Sequence, residues 1–152
     1  MEKTLYVAKL LYYMYNDKFG MGMDEMKMHK LMYFAQRESL MYNNKPLFNE
    51  SFYGWKYGPV LKSVRSVYHV YHPPFKNVHG NVSSDTKLLL QNVLNRYGNL
   101  SSWKLSSLSH DEFSWKMSRK GLAPDEDGDN ELSLMAMRID AVREQSLRKM
   151  EK

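Results

Sequence analysis

Between residues 3 and 17 the apolar side chains Val7, Leu10, Leu11 and Met14 recur at three-and-four spacing, which puts them on one helical face flanked by tyrosines. Gly20 and Gly22 break the pattern. Asp24 then predicts a helix start, because its carboxylate can accept from first-turn amides that have no partner inside the helix. Met28, Leu31, Met32 and Ala35 make the next stripe, which ends near Tyr42 and the turn residues Asn43, Asn44 and Pro46. Residues 47–58, LFNESFYGWKYG, are aromatic, roughly alternating and broken by glycine, so they predict an extended segment or short strand pair.

Gly58-Pro59 restarts a helix in this reading, with Pro59 at the first helical position, where a missing N–H costs nothing. Val60, Leu61, Val64, Val67, Tyr68 and Tyr71 form its inner face, and Pro73-Pro74 ends it. A helix capped at Ser84 or Asp85 carries Leu88 to Leu90, Val93, Leu94 and Tyr97 inward and stops at Gly98. Two short helices follow, over 101–108 and 111–119, opened by Ser101 or Ser102 and by Asp111. After the acidic loop PDEDGDN, a last helix over 131–149 is expected to bury Leu134, Met135, Ile139, Val142 and Leu147. The expected fold is mainly α: one domain over 1–152, a compact bundle of six to seven helices with a short extended aromatic insert.

Composition narrows the function. At 43% hydrophobic residues the chain can bury a core, and with no cysteine it can form no disulfide or zinc-thiolate site. Lys3 and Lys9 interrupt the N-terminal apolar stretch, no small-residue cleavage site follows, and nothing approaches the ~20 apolar residues of a membrane span. A soluble, cytoplasmic protein with no membrane partner is therefore expected. The net charge of +5 comes from 22 basic against 17 acidic residues, interleaved without a run of five or more of the positive ones. That balance describes a solvated surface; nucleic acid remains the alternative ligand.

No catalytic constellation emerges. His110 stands between Ser109 and Asp111, but chain neighbours do not make a triad, whose members converge in space. A histidine that caps or bridges two short helices is the expectation. His69 and His72 lack a third ligand, and the stretch from Pro124 to Glu131 lacks the glycine and glutamate of a calcium loop. Its acids are expected to favour the N-terminus of the following helix. No metal, no cofactor and no enzymatic activity are expected. Among the twelve methionines, Met21, Met23 and Met26 lie in or beside the glycine-flanked loop, where ordinary packing or a pliable contact surface are both open.

Three segments, taken together, are more specific. They are HKLMYFAQ (His29 to Gln36), FYGWKYGPVLKSV (Phe52 to Val64, preceded by KPLF) and YGNLSSWKLSSLSHDEFSWK (Tyr97 to Lys116). In order, over roughly residues 5 to 120, the chain resembles the Panacea (SocA-like) antitoxin domain family, which includes phage-associated GepA-like proteins. Lys30, Leu31, Tyr33, Phe34, Ala35 and Gln36 match its helix motif. Leu47, Phe48, Glu50, Phe52, Trp55, Tyr57, Gly58, Pro59 and Val60 match its central element. Leu105, Ser106, Leu108, His110, Glu112 and Trp115 match the third. Gly54, Ser109 and Ser114 depart from the family's usual alanine, threonine and proline. Residues 121–152 draw no support from the resemblance.

The resemblance implies an antitoxin that binds and neutralises a cognate toxin protein in a bacterial or prophage system. One relative delivers its toxin to a protease as an adaptor, so a AAA+ protease system is a further implied partner. The alternative is a nucleic-acid-binding repressor or phage regulatory protein. The expected oligomeric state is a monomer or homodimer. Candidate partner contacts are Lys30, Tyr33, Gln36, Trp55 and Tyr57, because tryptophan and tyrosine dominate protein interfaces and Lys30 and Gln36 fall off the apolar stripe. Gly58, Pro59, His110 and Trp115 are expected to be structural. Trp55 is expected to wedge between helices, so that its truncation harms folding more than recognition. Partner contact is expected over residues 21–36 and 53–60, bordered by the methionine loop, and not on the helix after residue 131.

Overall fold

The computed structural model describes residues 1–151. Seven α-helices and one two-stranded sheet follow in the order α1 (Thr4–Phe19), α2 (Glu25–Asn43), β1 (Tyr53–Trp55), β2 (Gly58–Val60), α3 (Lys62–Val70), α4 (Ser84–Tyr97), α5 (Ser102–His110), α6 (Phe113–Ser118) and α7 (Leu134–Met150). The fold is mainly α, as the apolar spacing predicts. Among the described residues no helix is long and apolar enough to cross a membrane.

Everything is organised around α2, which packs against α1, α3, α4, α5, α7 and β2. Its start is set locally: Asp24 accepts a hydrogen bond from the Lys27 amide at 2.8 Å, as its position in the sequence predicts. Beyond the first turn it is buried on every side, from Lys27 to Met41. Leu31, Met32, Phe34 and Ala35 join Val7, Leu11, Phe48, Phe52, Leu61, Leu90 and Leu105 in one core. Removing each large side chain of this kind from water contributes ~1.5–3 kcal/mol.

Three boundaries differ from the sequence reading. Pro59 does not open a helix. It lies in β2 opposite Gly54, at a pair whose backbone groups turn away from each other, and a residue without an N–H fits there at no cost. The following helix begins three residues later, at Lys62. The cap of α4 is Ser83 rather than Ser84 or Asp85, its hydroxyl accepting from Thr86. At the start of α6 Asp111 caps nothing; the carboxylate of Asp140, on α7, accepts from the amides of Phe113 (2.7 Å) and Ser114 (2.8 Å). Ser101 does cap α5, accepting from Lys104 at 3.1 Å.

The largest correction concerns α7. Ser133 caps it, but its buried residues are Ala136, Met137, Asp140 and Ala141. Leu134, Met135, Ile139, Val142 and Leu147, expected inside, are all exposed. The polar side of the helix wins because its charges find buried partners: Asp140 meets Tyr33 and the α6 amides, and Arg148 meets Glu38. The acidic loop also has another role than preceding a helix. Residues 130–132 run antiparallel beside β1, with the Gly54 amide bonded to Asn130 O and the Leu132 amide to Phe52 O, both at 2.8 Å. Arg119 fastens the loop from below, donating to the carbonyls of Gly54, Ala123 and Glu126.

Candidate functional site

The hairpin is the most distinctive local feature of the sequence, and the structure shows what holds it out from the helices. Tyr53, Gly54 and Trp55 pair with Val60, Pro59 and Gly58, leaving Lys56 and Tyr57 as the turn. Gly58 has φ +125°, and a Cβ there would lie 3.3 Å from Ser109 Oγ and 3.4 Å from Lys30 Nζ. Glycine is needed on both counts. Behind it Lys30, 1% exposed, donates from Nζ to Tyr57 O at 3.0 Å. Burial pulls the Lys30 ammonium down to about 8, with Asp24 drawing it weakly the other way. Its charge is spent on holding the turn.

A second support comes from α5 and α6. His110 stacks on Trp115 with ring centres 4.3 Å apart and planes 13° from parallel, and the Trp115 indole donates to Trp55 O at 2.9 Å. His110, the last residue of α5, thus lies against Trp115 of α6. Burial, with the nearby Lys30 charge, lowers the basicity of that imidazole. On the other side His29 Nδ1 accepts from the Leu61 amide at 3.2 Å, so the proton sits on Nε2, which donates to Glu25 at 2.9 Å. Burial lowers the His29 pKa and keeps it neutral. The hydrogen bond from His29 holds the Glu25 carboxyl below its usual range, and that carboxylate also receives Arg65 and His69.

The five expected partner contacts therefore divide. Lys30, Tyr33 and Gln36 are inside the protein. Gln36 donates to Phe48 O and accepts from the amides of Leu47 and Phe48, fixing the chain after α2. The Tyr33 hydroxyl bonds Ser114 Oγ at 2.8 Å and Asp140 at 3.2 Å, and burial raises its pKa well above the ordinary value. Tyr57 is 60% exposed. Trp55 is half-buried, with the Arg65 guanidinium 5.0 Å from its ring centre and its indole donating to Asp129 at 2.9 Å. It lines the surface instead of wedging between helices. Met23 is buried, whereas Met21 and Met26 are exposed.

Trp55, Tyr57, Glu25, Lys62, Arg65 and Asp129 surround an open pocket of about 510 Å³. Its charges are already matched: Lys62 meets Asp129 at 2.9 Å and Lys56 meets Asp127 at 3.3 Å. Among the described residues no three histidine or carboxylate side chains are grouped to hold a metal ion. What the pocket offers is aromatic surface with polar ends, the chemistry of protein contact.

Several residues important to this arrangement carry no local signal. Buried Glu112 receives Arg37 and Arg143, and Arg37 also donates to the Tyr97 hydroxyl at 2.6 Å. Burial pushes the Glu112 carboxyl up to about 7. Two departures from the family pattern find explanations in partners. The Ser118 side chain occupies the space that a methyl on Gly54 would need. Ser114 uses both its amide and its hydroxyl, and a proline there could offer Asp140 no N–H.

Comparison with known proteins agrees with this construction. The family described as antitoxin SocA-like, Panacea domain, matches residues 28–116, from the first turn of α2 into α6. Neither the curated proteins nor the solved structures give a match. The matched stretch contains the hairpin with His29, Lys30, His110 and Trp115 behind it; Glu25, Arg119 and the segment over 127–132 that also hold it lie outside, as do α1 and α7. The chain belongs to the SocA-like antitoxin family, as a protein built on the Panacea domain.

Proposed function

We propose that this protein is an antitoxin that binds a cognate toxin protein and neutralises it by direct contact, in a bacterial or prophage toxin–antitoxin system. The observation that carries the reading is the family match over residues 28–116. The way those residues are used supports it. Lys30, Tyr33, Gln36, His110 and Trp115 are occupied in hydrogen bonds and stacking within the protein. They stiffen a scaffold, and a rigid scaffold lowers the ordering cost of binding another protein. The charged side chains that line the pocket pair with one another, Lys62 with Asp129 and Arg65 with Glu25, which supports contact as the proposed mode.

The test is expression of the neighbouring open reading frame with and without this protein. Growth arrest by the neighbour alone, relieved on co-expression, supports the reading; arrest that persists on co-expression contradicts it. Immunoblotting the toxin separates two routes. Its abundance stays constant under direct neutralisation and falls if the protein hands it to a AAA+ protease.

A further inference from the structure

The outer face of α7 is apolar and, among the described residues, stands exposed. Met135, Ile139 and Val142 are 74%, 52% and 63% exposed and recur at four and three residues, so they form one stripe along the helix. From Met135 to Val142 the stripe runs two helical turns, roughly 11 Å. Phe113 and Met117, four residues apart on α6, are also exposed, and α6 packs on α7. The Phe113 amide is bonded to Asp140, the residue after Ile139.

The charges that edge the stripe on α7 itself are basic, with exposed Asp111, whose carbonyl accepts from Arg143, as the acid beside them. Asp140 is buried under Tyr33 and the α6 amides, and Glu144 is turned inward to Arg148. The outer edges carry Arg138 and Lys149 on one side of the stripe and Arg143 on the other. Lys116, exposed on α6, lies beside Met117 in the chain. Arg138 is bonded only to the neutral Asn44, and Arg143 shares the single carboxylate of Glu112 with Arg37. A second copy docking by two-fold symmetry would bring these cations against themselves.

We propose that this face docks an amphipathic helix whose apolar stripe is edged by aspartate and glutamate, supplied by the toxin. That the helix belongs to the toxin rests on the antitoxin reading; the chemistry of the surface does not. The two-turn apolar stripe accepts one helix packed along α7, and the flexible methionines adapt to its side chains. The basic edges select the acidic flanks and speed encounter. Because α7 lies outside the family match, this surface is particular to the chain and its partner, while the scaffold beneath is shared.

The test uses the full-length protein and two fluorescent helical peptides of about 18 residues with leucines at the same spacing. One carries glutamate along both edges and the other lysine. Fluorescence anisotropy is expected to show at least ~10-fold tighter binding of the glutamate peptide, weakening as salt rises from about 50 to about 300 mM. Ile139→Asp and Val142→Asp are expected to abolish binding with the melting temperature unchanged. The double variant Arg138→Glu, Lys149→Glu is expected to reverse the peptide preference. Equal binding of both peptides, or no binding of either at about 1 mM, overturns the proposal. So does a dimer in sedimentation that Val142→Asp dissociates. A failed peptide experiment leaves relief of growth arrest untouched, so the two readings fail separately.

Discussion

Two helices of similar length, α2 and α7, break the usual rule in opposite directions. α2 carries Lys30, Gln36, Arg37 and Glu38 into the interior, and α7 leaves Met135, Ile139 and Val142 outside. The cause is position. α2 is the axis of the bundle and has no free side, so each polar group on it must be satisfied by a tertiary partner. Lys30 and Gln36 find backbone groups, Arg37 finds Glu112, and Glu38 finds Arg148. α7 is a peripheral helix that serves those needs: its Asp140 and, further along, Arg148 face inward on the side that carries Ala136, Met137 and Ala141, and the apolar residues are what remains. A stripe in a sequence identifies a face of a helix; the partners decide whether that face turns inward.

The comparison can be broken at its strongest link first. Arg37→Ala is expected to cost ~3–5 kcal/mol in urea unfolding, because it leaves Glu112 and the Tyr97 hydroxyl short of a buried partner. Asp140→Ala removes the cap of α6 and an acceptor for Tyr33, with an expected loss of ~2–3 kcal/mol. Lys30 sharpens the account through pH. Its folded value of about 8 lies below the ordinary lysine value, so between about 8 and 10.5 the unfolded chain binds more protons and stability rises with pH. Wild type is expected to gain ~2 kcal/mol on Lys30→Met by about pH 10, with no relative change below pH 7. A flat difference across that range contradicts the buried charged lysine. The smallest expected effect is on α7: Ile139→Asp and Val142→Asp each change stability by no more than ~0.5 kcal/mol. A loss of several kcal/mol there means the stripe is covered by the chain itself.

What the sequence made legible was local. Asp24 and Ser101 cap the helices they precede because a cap reaches only three residues ahead. The elements and the mainly α class followed from spacing alone. The misplaced features depend on pairing that the local pattern does not show, in most cases with a partner far along the chain. Pro59 fits either a helix start or a strand, and only its pairing with Gly54 chooses. Tyr33 lies 107 residues from Asp140, and Glu112 lies 75 from Arg37, so no window of sequence contains both members. For the same reason Lys30, Tyr33 and Gln36 were read as surface: being off an apolar stripe exposes a residue only when the helix has a free side.

Hydrogen exchange of this protein, alone and with the product of the neighbouring open reading frame that it is proposed to neutralise, tests the division between a buried scaffold and an outer docking helix most directly. The amides of residues 27–41 are expected to be slow in both states, since that segment is already enclosed. Toxin binding is expected to slow exchange over residues 113–117 and 134–147. New protection over residues 21–36 and 53–60, with α7 unchanged, would contradict the account and return the contact to the aromatic hairpin.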